Sequence, residues 1–353
     1  MDKAQTPSPV DLAIPAASTA ASLWQDQSDL FNKLQRRLAS YAPNTQRALA
    51  ADWRAWRKWC AREQRHAFPA TPTDVIDYIL AHSPPFVRSS TGELKMDPEA
   101  TAATTRRAST VTRWLASLSV LHRISNSPDP TRDEDVKATR RGVVRGRLAP
   151  QQKAPLHWSD VRKALDTLGT NLRDLRAKAL IAVAYCTVAR RAELVALRLQ
   201  DITFSTEGEG TVTLRTKGGE YKERYLAPEA RSALESWLEA PHIKEGSVFR
   251  RLERHGSTGD RTISPAEVAR TFKRVATLMG LDPSRPISRI SAHSTRIGAA
   301  QDLTAAGAAL PEIMVAGGWK SPQMPTHYAR KLHARQGAMR RWLQATRKRE
   351  ESR

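Results

Sequence analysis

A short basic stretch near the middle of the chain limits its possible folds more than any other feature. Residues 140–147 contain four arginines and are followed by Leu-Ala-Pro-Gln-Gln-Lys, whereas helical patterns stand on either side. Such a shift of composition marks a domain boundary. The chain has 353 residues, and single hydrophobic cores rarely grow beyond ~250–300 residues. The sequence therefore predicts two domains joined by an extended, cationic linker.

The first half of the chain is predicted to be helical after a segment without periodicity. Residues 1–23 are rich in Ala, Pro, Ser and Thr, and we expect a flexible arm there. Apolar residues then recur at helical spacing over Leu49–Cys60, which indicates a buried stripe. Prolines and a glycine within residues 83–97 indicate a loop, and a long helix is predicted from about Pro98 to Ile124. We therefore assign a helical domain to residues 24–147.

The second half of the chain is predicted to combine helices with a small sheet. Residues 174–199 form one long predicted helix, and its middle is almost wholly apolar and therefore buried. Two β-like segments, residues 211–216 and 221–226, are joined by a Gly-rich turn and predict a hairpin. Residues 264–343 are again mostly helical. The predicted fold class is mainly α, with a small antiparallel sheet in the second domain, residues 148–353.

The charge of the chain indicates a polyanionic partner. There are 57 Lys and Arg residues against 36 Asp and Glu residues, a formal net charge of +21. A surplus of this size favours nucleic acid over an acidic membrane, because no segment has the pattern of a basic amphipathic surface helix. A basic soluble protein without such a partner is the alternative that charge alone leaves open.

Other sequence features argue against membranes, metals and disulfides. No stretch approaches ~20 uninterrupted apolar residues, and no basic segment followed by an apolar one stands at the N-terminus. Cys60 and Cys186 lie far apart without CxxC or paired-histidine spacing, which provides neither a recognisable zinc site nor a disulfide framework. We expect a soluble, cytoplasmic protein with no metal site and no membrane partner.

Arginines of the first domain are candidates for contacts with DNA. A helix has the width to enter the major groove, where arginines on its polar face can reach phosphates and base edges. An ordinary solvated face is the alternative for each of them. The candidates on the polar side of the predicted 98–124 helix are Arg106, Arg107 and Arg113. The candidates in the basic stretch are Arg140, Arg141, Arg145 and Arg147.

Seven residues of the second domain form the candidate catalytic set. In chain order they are Arg190, Glu193, Lys217, His293, Arg296, Trp319 and Tyr328. Each has an ordinary explanation by itself. Arginine and glutamate three apart stabilise a helix, a lysine in a Gly-rich turn is generally solvated, and a tyrosine near a C-terminal helix is generally core. Their order along the chain therefore carries the interpretation.

That order resembles the tyrosine recombinase (phage integrase) family, whose catalytic domain carries Arg, Lys, His-x-x-Arg, His or Trp, and Tyr in turn. Arg190–Leu194 resembles the first arginine box, and Thr216–Gly219 resembles the lysine hairpin. Ala292–Arg296, Gly317–Lys320 and Thr326–Arg330 resemble the closing motifs, in the variant that has Trp where His is commoner. The resemblance implies a helical core-binding (SAM-like) domain followed by a catalytic domain, together forming a two-domain DNA clamp.

The resemblance also implies a role for each candidate. Tyr328 would attack a DNA phosphodiester and form a covalent 3′-phosphotyrosine, and His293 would assist removal of its proton. Arg190 and Arg296 would bind the two non-bridging oxygens, and Lys217 would protonate the leaving 5′ oxygen. The indole N–H of Trp319 would donate to a phosphate oxygen, and Glu193 would orient its neighbours. Because the bond energy is retained and arginines replace a metal, neither ATP nor another cofactor is expected.

The implied activity is site-specific recombination of double-stranded DNA. A homo-oligomer is expected, with a dimer on each inverted-repeat site and a tetramer that exchanges strands through a Holliday junction. An apolar face on Ala338, Met339, Trp342 and Leu343 would dock on the next protomer, or else pack on its own domain. The expected setting is the nucleoid of a bacterium, with the gene carried by the host, a mobile element or a phage. Two alternatives stay open: an inactive DNA-binding homologue, and a nicking-resealing enzyme of the type IB topoisomerase kind.

Overall fold

The structure is a computed structural model that describes residues 36–83, 86–88, 94–96, 106–145, 152–216, 219–253 and 256–351. The chain divides into two compact units, Met1–Ala149 and Pro150–Arg353, and each unit has its own apolar core. Within the described ranges no helix is both long enough and apolar enough to cross a membrane.

The first unit packs its helices around a cluster of aromatic side chains. Trp53 and Trp56 are each 1% exposed, so the predicted apolar stripe is buried as expected. His122 is also buried, and its Nε2 accepts a hydrogen bond from the Ala70 N–H at 3.0 Å. The described elements are α1 (Pro43–Arg62), α2 (Pro72–His82), β1 (Phe86–Arg88), β2 (Leu94–Met96), α3 (Ala108–Ile124) and α4 (Glu134–Arg145).

Two predictions for residues 83–124 are wrong. The segment predicted as a loop contains β1 and β2, which pair antiparallel with Phe86 opposite Met96. The helix predicted from Pro98 begins only at Ala108. Arg106 precedes that helix because its N–H donates to the His82 carbonyl at 2.9 Å, which ties the backbone to the end of α2. Residues 97–105 lie outside the described part.

The basic stretch differs from its prediction as well. Residues 140–145 complete α4 and are helical, whereas an extended linker was expected. Val136 and Val143 are both buried, and their seven-residue spacing keeps one face of the helix on the core. The helix therefore continues through Arg140 and Arg141, which lie on its exposed side.

The second unit is helical and contains a three-stranded antiparallel sheet. In that sheet β4 (Gly210–Arg215) lies between β3 (Ile202–Phe204) and β5 (Tyr221–Leu226). Arg215 pairs with Tyr221, so the predicted hairpin is present, and a second hairpin of β6 and β7 was not expected. The fold class, mainly α with a small antiparallel sheet, is confirmed. The described elements are α5 (Trp158–Thr167), α6 (Leu172–Cys186), α7 (Arg191–Ala196), β3 (Ile202–Phe204), β4 (Gly210–Arg215), β5 (Tyr221–Leu226), α8 (Pro228–Glu239), β6 (Arg250–Leu252), β7 (Thr258–Thr262), α9 (Pro265–Leu278), α10 (Ser294–Ala305), α11 (Leu310–Gly317), α12 (Gln323–Gln336) and α13 (Ala338–Glu351).

The long helix predicted over residues 174–199 is two helices. The first, α6, ends at Cys186, where the Thr187 hydroxyl donates to the Val183 carbonyl at 2.6 Å. Val188 then takes a left-handed backbone conformation, with φ of 49°, and this stops the helix. The chain restarts as α7 with Arg190 at its N-cap position. The apolar middle of α6 is buried, as predicted.

Candidate active site

Tyr328, in the core of the second unit, meets His293 at the solvent-exposed edge of that core. Tyr328 lies on α12 and is 4% exposed, and His293 immediately precedes α10. The Tyr328 hydroxyl and His293 Nε2 are hydrogen-bonded, and the two rings lie edge to face with centroids 5.6 Å apart. The Gln301 amide donates to the Tyr328 carbonyl at 2.9 Å, which joins α10 to α12. The fold thus places a tyrosine hydroxyl directly on an imidazole nitrogen.

The surroundings keep the proton on the tyrosine and off the histidine. Burial raises the pKa of Tyr328, and the positive charges of Arg296 and Arg190 only partly oppose that shift. Desolvation by the surrounding protein, together with the same two positive charges, lowers the pKa of His293 to about 4. At neutral pH the pair therefore consists of a protonated phenol and a neutral imidazole that can accept its proton.

The Arg296 guanidinium is buried behind this pair. Arg296 is 1% exposed, and it donates hydrogen bonds to the Val188 carbonyl and, at 3.1 Å, to the Gly317 carbonyl. The Trp319 ring covers it, with 4.7 Å between the guanidinium carbon and the ring centroid. Burial, reinforced by the charge of Arg190, lowers the pKa of Arg296 to about 10, so the group stays charged at neutral pH. The left-handed turn at Val188 supplies one of the two carbonyls.

Arg190 reaches the site from the start of α7. Glu193 holds it twice: one carboxylate oxygen accepts from the Arg190 backbone N–H at 2.6 Å, and the other lies 2.8 Å from the guanidinium. The guanidinium also donates to the Gly318 carbonyl at 3.3 Å. Glu193 is buried, whereas Arg191 is exposed at the first position of the helix. The geometry therefore brings Arg190, and not Arg191, to the cluster.

Two glycines shape the turn that carries Trp319. Gly318 has a left-handed backbone, with φ of 60°, which glycine adopts without strain. A Cβ at Gly317 would lie 1.9 Å from the Trp319 ring, so only glycine leaves room for the indole. The indole in turn lies beside Tyr328, with ring centroids 6.2 Å apart. The turn thus fixes Trp319 between the tyrosine and Arg296.

The structure brings six of the seven candidate catalytic residues into one cluster. They are Arg190, Glu193, His293, Arg296, Trp319 and Tyr328. Lys217 lies outside the described residues. The ends of its hairpin are described, and the Thr216 N–H donates to the Glu220 carbonyl at 2.8 Å. In the described ranges no group of three or more His, Cys, Asp or Glu side chains is placed to hold a metal ion.

Five of the seven candidate DNA contacts of the first unit have side chains that the structure describes. The Arg113 guanidinium lies 2.6 Å from Oδ1 of Asp52, and Oδ2 of the same carboxylate accepts from the Ser117 hydroxyl at 2.7 Å. Burial raises the pKa of Asp52, and the Arg113 charge opposes this shift, so Arg113 compensates a buried acid. Arg106, Arg107, Arg140 and Arg141 are exposed. The Arg145 side chain and Arg147 lie outside the described part, and DNA contact by all seven stays a prediction.

Sequence reasoning missed one cation of this cluster, Arg224. It lies on β5 next to Gly318, and the charge of Arg190 acts on its pKa. Tyr221, Glu223 and Tyr225 are exposed, so the residue between the last two faces the protein. The sequence alternation does not reveal this, because Tyr221 and Tyr225 share one face of the strand and would be expected to be the buried ones.

A mainly helical unit that places a buried tyrosine on a histidine beside two arginines defines a tyrosine recombinase. Residues 156–335, just over half of the chain, match the model of the phage integrase family. The chain therefore belongs to the phage integrase family, and it is a tyrosine-type site-specific recombinase.

Similar proteins agree with this assignment over most of the chain. Recombinase cre of Escherichia phage P1 is 26% identical over 94% of this chain and 96% of its own length. An integrase/recombinase xerD homolog of Selenomonas ruminantium is 29% identical over 71% of this chain and 72% of its own. The fold is similar to a Tn1549 transposon integrase solved with transposon right end DNA, with a TM-score of 0.56 at 14% identity over 88% of this chain and 99% of that one. It is also similar to XerH recombinase bound to a palindromic difH substrate, with a TM-score of 0.52 at 16% identity over 81% and 75%.

Proposed function

We propose that this recombinase cuts and rejoins duplex DNA through attack of Tyr328 on a phosphodiester. The tyrosine oxygen forms a bond to phosphorus, the 5′ oxygen leaves, and a 3′-phosphotyrosine holds the strand. The observation that carries the proposal is the hydrogen bond between the Tyr328 hydroxyl and the neutral His293 ring. Because the covalent bond conserves the energy of the phosphodiester, rejoining requires no ATP.

Each neighbouring group has a chemical task in this reaction. His293 accepts the phenolic proton, and the planar forks of Arg190 and Arg296 bind the non-bridging oxygens on which charge develops. Lys217 is assigned the proton that the leaving 5′ oxygen needs. The Trp319 N–H donates to a phosphate oxygen, and Glu193 orients Arg190, as its two hydrogen bonds support. Two guanidiniums supply the positive charge that a metal ion supplies in other phosphoryl-transfer sites.

Double-stranded DNA is the proposed substrate, held as in a clamp by a domain of residues 24–147 and a catalytic domain of residues 148–353. The net charge of +21 supports this. The first unit also carries an open concavity of about 470 Å³ whose lining includes Arg54, Arg57, Lys58 and Arg65. The relatives come from a phage and a bacterium, which supports action on DNA in the bacterial cytoplasm.

We assign α13 to assembly. Met339, Trp342 and Leu343 are exposed, at 68%, 60% and 43%, so this apolar face is not packed on its own unit. An unpacked apolar face of this kind fits a pocket on a second copy of the chain. Head-to-tail docking of four copies would close a ring. Such a ring would hold two inverted-repeat sites, each bound by a dimer, and the strands would be exchanged between the two sites through a Holliday junction.

Covalent capture tests the chemistry and finds the DNA site in the same experiment. The full chain is incubated with random-sequence duplexes that carry a nick, so that the cleaved short strand diffuses away and the adduct accumulates. We expect adducts that survive denaturing gels, with peptide mapping to Tyr328 and release of a 5′-hydroxyl end. Tyr328→Phe should bind DNA without forming adducts, while Tyr221→Phe, which alters an exposed tyrosine on β5, should react like the wild type. Adducts through another residue, or from the Tyr328→Phe variant, would refute the assignment.

The nicking-resealing alternative is separated by a plasmid assay. Two copies of the captured site are placed on one supercoiled plasmid. Strand exchange between sites gives deleted or inverted circles, whereas a topoisomerase gives relaxed circles of unchanged sequence. Relaxation without rearrangement would support the alternative.

A further inference from the structure

Arg224 lies against the same glycine that Arg190 contacts. The residue is half-buried on β5, and its Nη2 lies 2.8 Å from the point where a Cβ on Gly318 would stand. The carbonyl of Gly318 accepts from Arg190 at 3.3 Å. Only glycine at this position allows the Arg224 guanidinium to approach so closely. Two guanidiniums from different elements, the start of α7 and β5, therefore meet at one turn.

The cluster holds more positive charge than its own acid can compensate. Burial, and then the charge of Arg190, lowers the pKa of Arg224, while Glu193 opposes these shifts. Arg224 in turn contributes to the lowered pKa of Arg296. Glu193 is the acid that acts on all three guanidiniums, and it already bonds Arg190 twice. The site has an excess of positive charge, from a buried Arg296 to a half-buried Arg190 and Arg224 that solvent and ligands can reach.

Arg224 is not accounted for by a structural ion pair. Its Nη1 donates a hydrogen bond to the Glu223 backbone carbonyl at 3.2 Å. Among the residues that the structure describes, no carboxylate lies within ion-pair distance of its guanidinium. Half-buried arginines elsewhere in this unit do have such partners, as Arg285 has in Asp160 at 2.5 Å. The donors of Arg224 are therefore available to an anion.

We infer that Arg224 is a further phosphate-binding residue of the active site, and that it binds the phosphate of the cleaved bond together with Arg190. The inference deepens the proposed function and rests on it for the identity of the anion. A guanidinium offers paired N–H donors in a plane, which matches two oxygens of a phosphate group. Arg224 would hold the phosphate from the β5 side, and Arg190 would hold it from α7.

The first experiment needs no DNA. Inorganic phosphate is titrated into the full chain, and binding at this site is followed by the NMR signal of the His293 ring, assigned by its loss in His293→Gln. Loss of one charge-assisted hydrogen-bonding group should weaken the phosphate-dependent shift in Arg224→Gln by about 10- to 100-fold in affinity. Arg261→Gln, which removes an equal charge from an exposed position on β7, should leave it unchanged. Equal affinity in wild type and Arg224→Gln would overturn the inference.

The second experiment uses the DNA site obtained by covalent capture. Adduct formation is compared on ordinary DNA, on DNA with a methylphosphonate at the cleaved bond, and on DNA with a methylphosphonate one bond away. Arg224→Ala should slow cleavage of ordinary DNA by about 10- to 100-fold, and it should slow cleavage at the uncharged methylphosphonate much less. Arg224→Lys, which retains the charge without the fork, should fall between the two.

The outcomes separate this inference from the proposed function. Equal slowing by Arg224→Ala on all three substrates would show a structural role, and relief only at the neighbouring bond would show a different phosphate; both overturn the inference. Wild-type chain that forms no adduct with any DNA, yet binds phosphate through Arg224, would refute the proposed function and leave the anion site standing.

Discussion

Replacing Gly317 with alanine should expel the Trp319 indole from the active site. The new Cβ would lie 1.9 Å from Cζ3 and 2.2 Å from Cε3 of the ring, whereas carbon atoms in contact need ~3.5–4.0 Å. The backbone cannot retreat, because Gly317 is buried at the end of α11 and its carbonyl accepts a hydrogen bond from Arg296 at 3.1 Å. The ring therefore moves by about 1.5 Å or more.

Movement of the indole would remove its cation–π contact with Arg296. The indole covers the guanidinium at 4.7 Å, and a desolvated cation–π contact of this kind contributes about 2 kcal/mol. Loss of that contact from the reacting state corresponds to roughly 30-fold slower cleavage. Alanine is favoured over glycine in a helix by about 0.8–1 kcal/mol, which offsets part of the lost packing. The lost contact and the gained helix preference together should lower the free energy of unfolding by about 1 kcal/mol.

A double-mutant cycle with Trp319→Ala decides whether the effect runs through the indole. Single-turnover adduct formation is measured for wild type, Gly317→Ala, Trp319→Ala and the double variant, with thermal denaturation as the control for folding. Gly317→Ala should slow the wild type strongly and the Trp319→Ala background very little, because the clash has been removed. A full effect in the Trp319→Ala background, or a wild-type rate for Gly317→Ala alone, would refute the reasoning.

Four further results are expected. The pKa of His293 is lowered to about 4, so adduct formation at subsaturating DNA should persist from pH 7.5 to 5.5 and decline only as the pH falls toward 4. A histidine of ordinary pKa is ~90% protonated at pH 5.5. A tenfold loss of adduct formation at pH 5.5 would therefore contradict a neutral His293 base. Lys217→Ala should slow cleavage of ordinary DNA far more than cleavage of DNA with a 5′-bridging sulfur, because a thiolate leaves without a proton; equal slowing would rule out the general acid. Affinity for duplex DNA should fall by about 10³-fold or more between 50 and 200 mM salt, and a shallow salt dependence would contradict the clamp. Deleting residues 333–353 should leave a folded chain that binds one half-site and does not synapse two, and a chain that still recombined DNA or unfolded in a thermal melt would contradict docking of α13 on a second copy.

Elements with strong local signals were predictable from the sequence. The apolar stripe of α1 and the β4–β5 hairpin follow from periods of 3.6 and two, which a chain must satisfy to bury one face of a helix or strand. The candidate catalytic residues could also be identified from the sequence, because a family resemblance preserves their order along the chain. Neither signal contains the distance between Tyr328 and His293, which depends on the packing of α10 against α12.

The helix boundaries that could not be predicted from the sequence depend on tertiary contacts. Val188, in the left-handed region, breaks a segment whose composition favours an uninterrupted helix. This backbone conformation directs the Val188 carbonyl at Arg296, from which it accepts a hydrogen bond. The same holds for α4, which continues through a run of arginines because Val136 and Val143 pack on the core. In each case a contact distant in sequence outweighs the local preference, so a reading of neighbouring residues gives the wrong boundary.

The manner in which the arginines are held supports the proposal that this site binds a phosphate. The two Nη atoms of Arg296 donate to backbone carbonyls, while its buried Nε has no hydrogen-bond partner among the described residues. Arg190 donates to one carbonyl and to Glu193. Glu193 offsets part of the Arg190 charge, whereas the carbonyls that hold Arg296 accept its hydrogen bonds and leave its charge in place. The free protein therefore carries buried positive charge that burial itself disfavours, as the lowered pKa of Arg296 records. A phosphate bound at the proposed site would relieve that cost only in the folded state, so we expect phosphate to raise the free energy of unfolding of the second unit.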